Sequence, residues 1–241
     1  MLRKILTVAI FAGVISGLVI SIVQEFTTTP IILHAEDYEN ASAAKADMSA
    51  VTGNVTFMPA AFIKVHAGIT HTEAPDMAFE RLLYTVLGNV ITGVGFGLIL
   101  VASFALYGQP VDGRQGVIWG AAAFVAFALA PGLGLPPEVP GTMAADLTAR
   151  QAWWIPTALS TALGLWLMIF RHGWGYCLAG IAVITLPHLI GAPQPDDIGG
   201  DVPPELAGHF VAASLATAAI FWAMLGWLSG TLFTRFSEET D

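Results

Sequence analysis

The chain has 241 residues, of which 55% are hydrophobic and only 11% charged, whereas a soluble domain carries about a quarter charged residues. That balance excludes an ordinary water-soluble fold, and a net charge of −9 argues against a nucleic-acid partner. The single cysteine, Cys177, permits neither an internal disulfide nor a thiolate metal cluster.

A transmembrane helix needs about 20 mostly apolar residues to cross roughly 30 Å of hydrocarbon. Six stretches qualify or nearly so: 5–23, 82–106, 116–135, 153–170, 174–190 and 207–233. The predicted fold is an all-α integral membrane protein, a bundle of about six transmembrane helices forming one membrane domain over 1–241. Arg3 and Lys4 precede the first stretch, but no A-x-A-like cleavage site follows it; the chain continues as Gln24-Glu25-Phe26, which predicts an uncleaved anchor. Stretches four and five are short and separated only by Arg171-His172-Gly173, which reads as a tight transmembrane hairpin or a re-entrant pair, with the hairpin favoured because each can span if its ends snorkel.

Basic residues orient a membrane protein with their dense loops in the cytoplasm. With both termini cytoplasmic, Arg3, Lys4, Arg114, Arg171 and Arg235 fall in short inner segments, while Lys45, Lys64, Arg81 and Arg150 lie outside. The acids divide more sharply. Asp112, Glu238, Glu239 and Asp241 are inside, and the other 14 of the 18 are outside. Acids contribute little to insertion, so this skew calls for another reason.

Small residues recur four apart, as in Gly93 with Gly97 and Gly226 with Gly230, a pattern that lets helix backbones approach closely. The tryptophans stand in or beside the stretches, several of them as interfacial anchors. The outer loop, 27–80, is the one sizeable soluble part. Within it, 34–50 predicts a short helix, Thr52-Gly53-Asn54 a turn, and 57–65 a segment lying on the membrane or the bundle.

Five of the six histidines fall on the outer side or near outer helix ends. His34, Glu36, Asp37 and Glu39 crowd six residues, and His71 with Glu73 adds a pair. Imidazole and carboxylate suit divalent first-row metals, and clustered acids concentrate cations at a mouth. The same residues also read as a solvated acidic loop. His188 follows Pro187 near the end of the fifth stretch, and His209 stands near the start of the sixth. Ionisable groups in membrane segments are costly and usually functional, though an interfacial histidine also serves as a headgroup hydrogen-bonder. The chain has no G-x-x-x-x-G-K-[ST], no H-E-x-x-H and no G-x-S-x-G, which predicts no P-loop hydrolysis and no enzyme of those types. No charged residue lies deep in any stretch, so histidine, backbone and rim acids are the expected binding groups.

Three stretches carry a family likeness. They are Met1-Leu2-Arg3-Lys4 with Pro30-Ile31-Ile32-Leu33-His34-Ala35-Glu36-Asp37-Tyr38-Glu39, then Leu186-Pro187-His188-Leu189-Ile190-Gly191-Ala192-Pro193, and Val202-Pro203-Pro204-Glu205-Leu206-Ala207. In these the chain resembles the predicted cobalt transporter subunit family CbtA, over nearly its whole length. The resemblance implies a bacterial inner-membrane protein of cobalt supply for cobalamin, working with a small one-helix, histidine-rich partner, CbtB. No cofactor is expected to stay bound; cobalt(2+) is the ion expected to pass. The candidate metal ligands are His34, Glu36, Glu39, His188 and His209. Two alternatives stand beside this: a non-transporting scaffold subunit of a larger complex, homo- or hetero-oligomeric, and a haem-binding subunit using His188 and His209 as axial ligands.

Overall fold

The computed structural model describes residues 1–52, 75–196 and 199–238. The predicted turn at Gly53-Asn54, the apolar segment 57–65, and His66, His71, Glu73 and Asp197 lie outside the described residues. Seven helices account for most of what is described. They are α1 (Leu2–Phe26), α2 (Thr28–Thr52), α3 (Pro75–Tyr107), α4 (Gly113–Gly132), α5 (Leu147–Phe170), α6 (Trp174–Ile190) and α7 (Pro204–Glu238). Five of them, α1, α3, α4, α5 and α7, are long and apolar enough to cross a membrane. The fifth predicted crossing is α6, whose 17 residues rise about 26 Å at 1.5 Å each, just short of the hydrocarbon thickness.

Local chemistry sets the ends of these helices. Pro30 has no N–H to give the Phe26 carbonyl, so α1 cannot run on. The chain breaks at Thr27 and restarts as α2, where a proline in the first turn costs no helical bond. The helix predicted over 34–50 is thus longer by six residues at its start. Asp112 caps α4 by accepting from the Gln115 N–H at 2.8 Å, and Asp146 caps α5 by accepting from Ala149 at 2.9 Å. Gly173 turns the chain between α5 and α6 at φ +119°, a conformation that other residues rarely adopt. Inside α4, Val125–Leu129 forms a π-helical turn just before Pro131, which removes a further N–H from the ladder.

Three antiparallel seams, each built on glycine, hold the helices together. Along α1 and α3, a Cβ on Gly13 would stand 2.5 Å from the Gly93 and Val94 backbone, and one on Gly17 would stand 2.7 Å from Asn89. Along α4 and α7, a Cβ on Gly116, Gly120 or Gly226 would overlap a carbonyl oxygen of the facing helix. Along α5 and α6, a Cβ on Gly164 would lie 2.6 Å from the Gly180 carbonyl oxygen. With no water to expel between helices in a bilayer, such backbone approach is what gives packing its energy.

The α7 helix is central and touches α1, α2, α3 and α4, while α6 touches α5 and no other helix among the described residues. Val8, Leu100, Phe104, Val111, Trp222, Leu225 and Phe233 form the main core. Alternation of direction along the chain brings both termini to one end, where the Lys4 ammonium sits 3.7 Å from the centre of the Phe233 ring. At the opposite end, the α4–α5 and α6–α7 connections meet in a short antiparallel bridge, Thr142 to Gly200. There Ile31 and Ala35 of α2 bury against Val139, Val202 and Phe210. We call these the terminal end and the α2 end.

Candidate functional site

The α2 end holds the residues singled out from the sequence, at separate places. On α2, His34, Glu36 and Glu39 are two and three positions apart, about 200° and 300° around a helix of 3.6 residues per turn. Glu36 and Glu39 therefore lie within about 60° of each other on one face, and His34 stands on another. His34 is exposed, with its ring 5.4 Å from that of Tyr38. Glu36 is half-buried, and Glu39 is exposed beside Gly141, whose Cβ would stand 3.4 Å from its own. His188 lies edge-on to Trp153, ring centres 5.6 Å apart, and its Nε2 is buried without a hydrogen-bond partner. His209 is exposed near the start of α7. The helices that carry these two histidines, α6 and α7, make no direct contact with each other. Among the described residues, no three His, Cys, Asp or Glu side chains stand grouped to hold a metal ion.

Trp153 explains why His188 is placed so firmly. The Trp153 Nε1–H donates to the Pro187 carbonyl at 3.0 Å, and the Gly191 N–H donates to the same oxygen at 3.1 Å. This bond ties α6 to α5 at its last turn and fixes the imidazole against the indole. Trp153→Phe should lower thermal stability by about 1 kcal/mol, the ordinary net worth of one such bond. Heating the detergent-solubilised protein and following loss of the monodisperse peak measures it, with Trp166→Phe, at a half-exposed ring, as the comparison.

The larger feature was not anticipated. A cavity of about 510 Å³ opens among α1, α2, α3, α4 and α7. One wall is a row on α3: Arg81, Thr85, Asn89, Thr92 and Phe96, spaced four, four, three and four. Gln24, Thr28 and Thr29 come from the α1–α2 junction, and Ser214 and Thr217 from α7. Asn89 organises this wall: its Nδ2 donates to Gln24 Oε1 at 2.6 Å and to Ser21 Oγ at 2.9 Å. The Thr27 and Thr217 hydroxyls lie 3.4 Å apart across the junction. The expectation that only histidine, backbone and rim acids could bind here is thereby corrected, since amide and hydroxyl side chains line a chamber within the spans. A signal for it exists in the sequence. Thr85, Asn89 and Thr92 form a polar stripe at helical spacing in an otherwise apolar helix, but uncharged groups do not register in a search for charge.

Phe96, Phe127 and Trp222 close the chamber's floor. Their ring centres are 4.7 to 5.7 Å apart, and Phe127 stacks on Trp222 at 12°. Phe127 is carried by the π-helical turn of α4, the kind of local distortion that gathers at functional sites. Beneath the same three rings lies a second, apolar cavity of about 270 Å³. Arg81 is the one charged side chain lining the upper chamber among the described residues.

Replacing Asn89 by leucine strips the donor from both Gln24 and Ser21. Interhelical polar contacts in membranes average about 0.6 kcal/mol and reach about 1.7. Asn89→Leu, which loses two such contacts, should therefore cost about 1 kcal/mol of stability, which thermal unfolding in detergent measures.

The fold and this chamber define a multi-pass α-helical membrane protein with a cavity of mixed polar and apolar lining among its helices. The chain belongs to the CbtA family: the model of that family, described as a probable cobalt transporter subunit, matches residues 2–234. No curated protein and no solved structure matches the chain.

Proposed function

We propose that this chain is the membrane subunit through which a divalent cation, cobalt, enters a bacterial cell for cobalamin synthesis. The α2 end then faces the periplasm and both termini the cytoplasm, in the inner membrane, as one membrane domain without enzymatic activity. The observation that carries this reading is the chamber near the acid-rich α2 end, into which Gln24, Asn89 and Thr217 bring polar groups among a largely apolar lining. Family membership supports cobalt as the cargo, and the density of Arg3, Lys4, Arg114, Arg171 and Arg235 at the terminal end supports the orientation. Glu36, Glu39, Glu138, Asp201 and Glu205 gather the ion at the surface by their summed field. His34, His188 and His209 offer the nitrogen donors that a first-row cation prefers as it sheds water. The carbonyl and hydroxyl oxygens of Gln24, Asn89 and Thr217 replace further hydration inside the chamber, as channel and transporter linings do. A small histidine-rich, one-helix partner supplies the additional donors that this chain does not group together.

The test is accumulation of radiolabelled cobalt in cells expressing this chain with that partner. Asn89→Leu and His188→Ala should each lower accumulation several-fold, and Glu36→Gln with Glu39→Gln should raise the cobalt concentration needed for half-maximal uptake. Accumulation equal to that of cells lacking the chain, in every pairing, would sink the proposal. The α6 helix favours a second reading. Partnered by α5 alone among the described residues, it leaves Tyr176, Leu178, Ile181 and Leu189 exposed, a face that suits a scaffold subunit packed against other membrane helices. A stable larger complex at native abundance, with cell cobalt unchanged on deletion, would favour it.

A further inference from the structure

The apolar cavity below the aromatic floor has a feature unrelated to cation passage. It is a crevice between α3, α4 and α5, walled by Ile99, Ile118, Ala122, Leu165 and Trp166, and running toward the terminal end. Its last aromatic wall is the contact chain of Tyr107, Trp119 and Phe170, with ring centres 5.4 to 5.8 Å apart. Directly after Phe170, Arg171 folds back so that its guanidinium carbon stands 5.0 Å over the Trp166 ring. Arg114 is exposed one helical turn before Ile118, in the same row of α4. Two of the helices that wall this apolar slot thus carry an arginine at their terminal-end margins, Arg114 in the first turn of α4 and Arg171 just after α5.

Water does not fill an apolar cavity of this kind, and within a bilayer the available apolar matter is the acyl chain. Arginine binds phosphate through paired charge-assisted hydrogen bonds, and basic pockets between transmembrane helices hold anionic headgroups. We propose that the crevice seats one acyl chain of an anionic phospholipid, whose phosphate is held by Arg171 and Arg114. The lipid would complete the packing of the α5–α6 hairpin, which meets the rest of the bundle through α4 and through the Tyr107–Phe170 ring contact with α3 among the described helices.

The experiment is native mass spectrometry of the full chain released from nanodiscs of phosphatidylglycerol or of phosphatidylcholine, with melting temperature measured in each. The wild-type protein should retain one phosphatidylglycerol, no phosphatidylcholine, and melt higher with the former. Arg114→Gln with Arg171→Gln, both at exposed positions that leave the core untouched, should weaken retention about 30-fold, the combined effect of two surface arginines on an anionic headgroup. Ala122→Trp, which fills the slot, should abolish retention with the arginines intact. Equal retention of both lipids, unchanged retention in the double arginine variant, or displacement of the lipid by millimolar inorganic phosphate alone would each overturn the proposal.

Discussion

Gly226→Leu is expected to disrupt the protein outright, and more severely than any other single change considered. Gly226 stands where α4 and α7 are closest, and even a Cβ there overlaps the Gly116 carbonyl oxygen and comes within 3.0 Å of Gly120. The obstacle is backbone on a neighbouring helix, so no rotamer change relieves it. Forcing extra atoms into a packed contact costs about 1–3 kcal/mol, and more where neither side can give. Here the whole seam must open, and α7 also carries Trp222 and Leu225, which anchor the core. Expression with a fluorescent fusion and size-exclusion chromatography should show aggregate or no peak for Gly226→Leu. Gly88→Ala and Gly95→Ala provide the contrast. Among the described residues nothing lies within 4 Å of a Cβ at either site, so each should stay within about 0.5 kcal/mol of the parent and gain slightly from helix propensity. A monodisperse, fully stable Gly226→Leu protein would show that the α4–α7 seam is not the framework of the bundle.

Ser214→Trp should remove cobalt accumulation while leaving the protein folded. Ser214 lines the chamber from α7 and is half-buried. An indole at this position enters open space in a chamber of about 510 Å³ and comes to rest toward the aromatic floor. Unlike Gly226→Leu, it meets a void rather than a backbone, so the melting temperature should change little. Uptake should fall to the level of cells without the protein, because the lining oxygens of Asn89 and Thr217 can no longer be reached. Ser103→Trp is the matched comparison. It adds the same bulk in the lower, apolar crevice and should leave uptake intact, since no step of the proposed passage uses that space. Loss of uptake in both variants, with both folded, would place the route elsewhere.

Much of this architecture could be read before any coordinates. Long apolar stretches announced the spans because a bilayer admits only segments that satisfy their own backbone. Gly93, Gly97, Gly226 and Gly230 announced close helix packing, and each does lie at a backbone contact. The hairpin around Arg171-His172-Gly173 followed from length alone, and Gly173 provides its turn. Other features resist such reading because they depend on how separate segments face one another. The α3 helix begins at Pro75, earlier than its apolar core suggests, and this brings Arg81 and Thr85 into the same row as Asn89. Histidines read as neighbours by depth, His188 and His209, are on helices that do not meet, since depth fixes height along the bundle and not position around it.

Composition and periodicity established a membrane bundle with both ends of the chain on one side, because hydrophobic length and alternation of direction are properties of the chain itself. The chamber, its aromatic floor and the apolar crevice arise from six helices meeting at particular rotations. Those rotations are set by where glycine lets backbones touch, a relation between distant segments that no local pattern contains. The functional reading stands on the oxygen donors of Gln24, Asn89 and Thr217 facing one space, which is a consequence of packing.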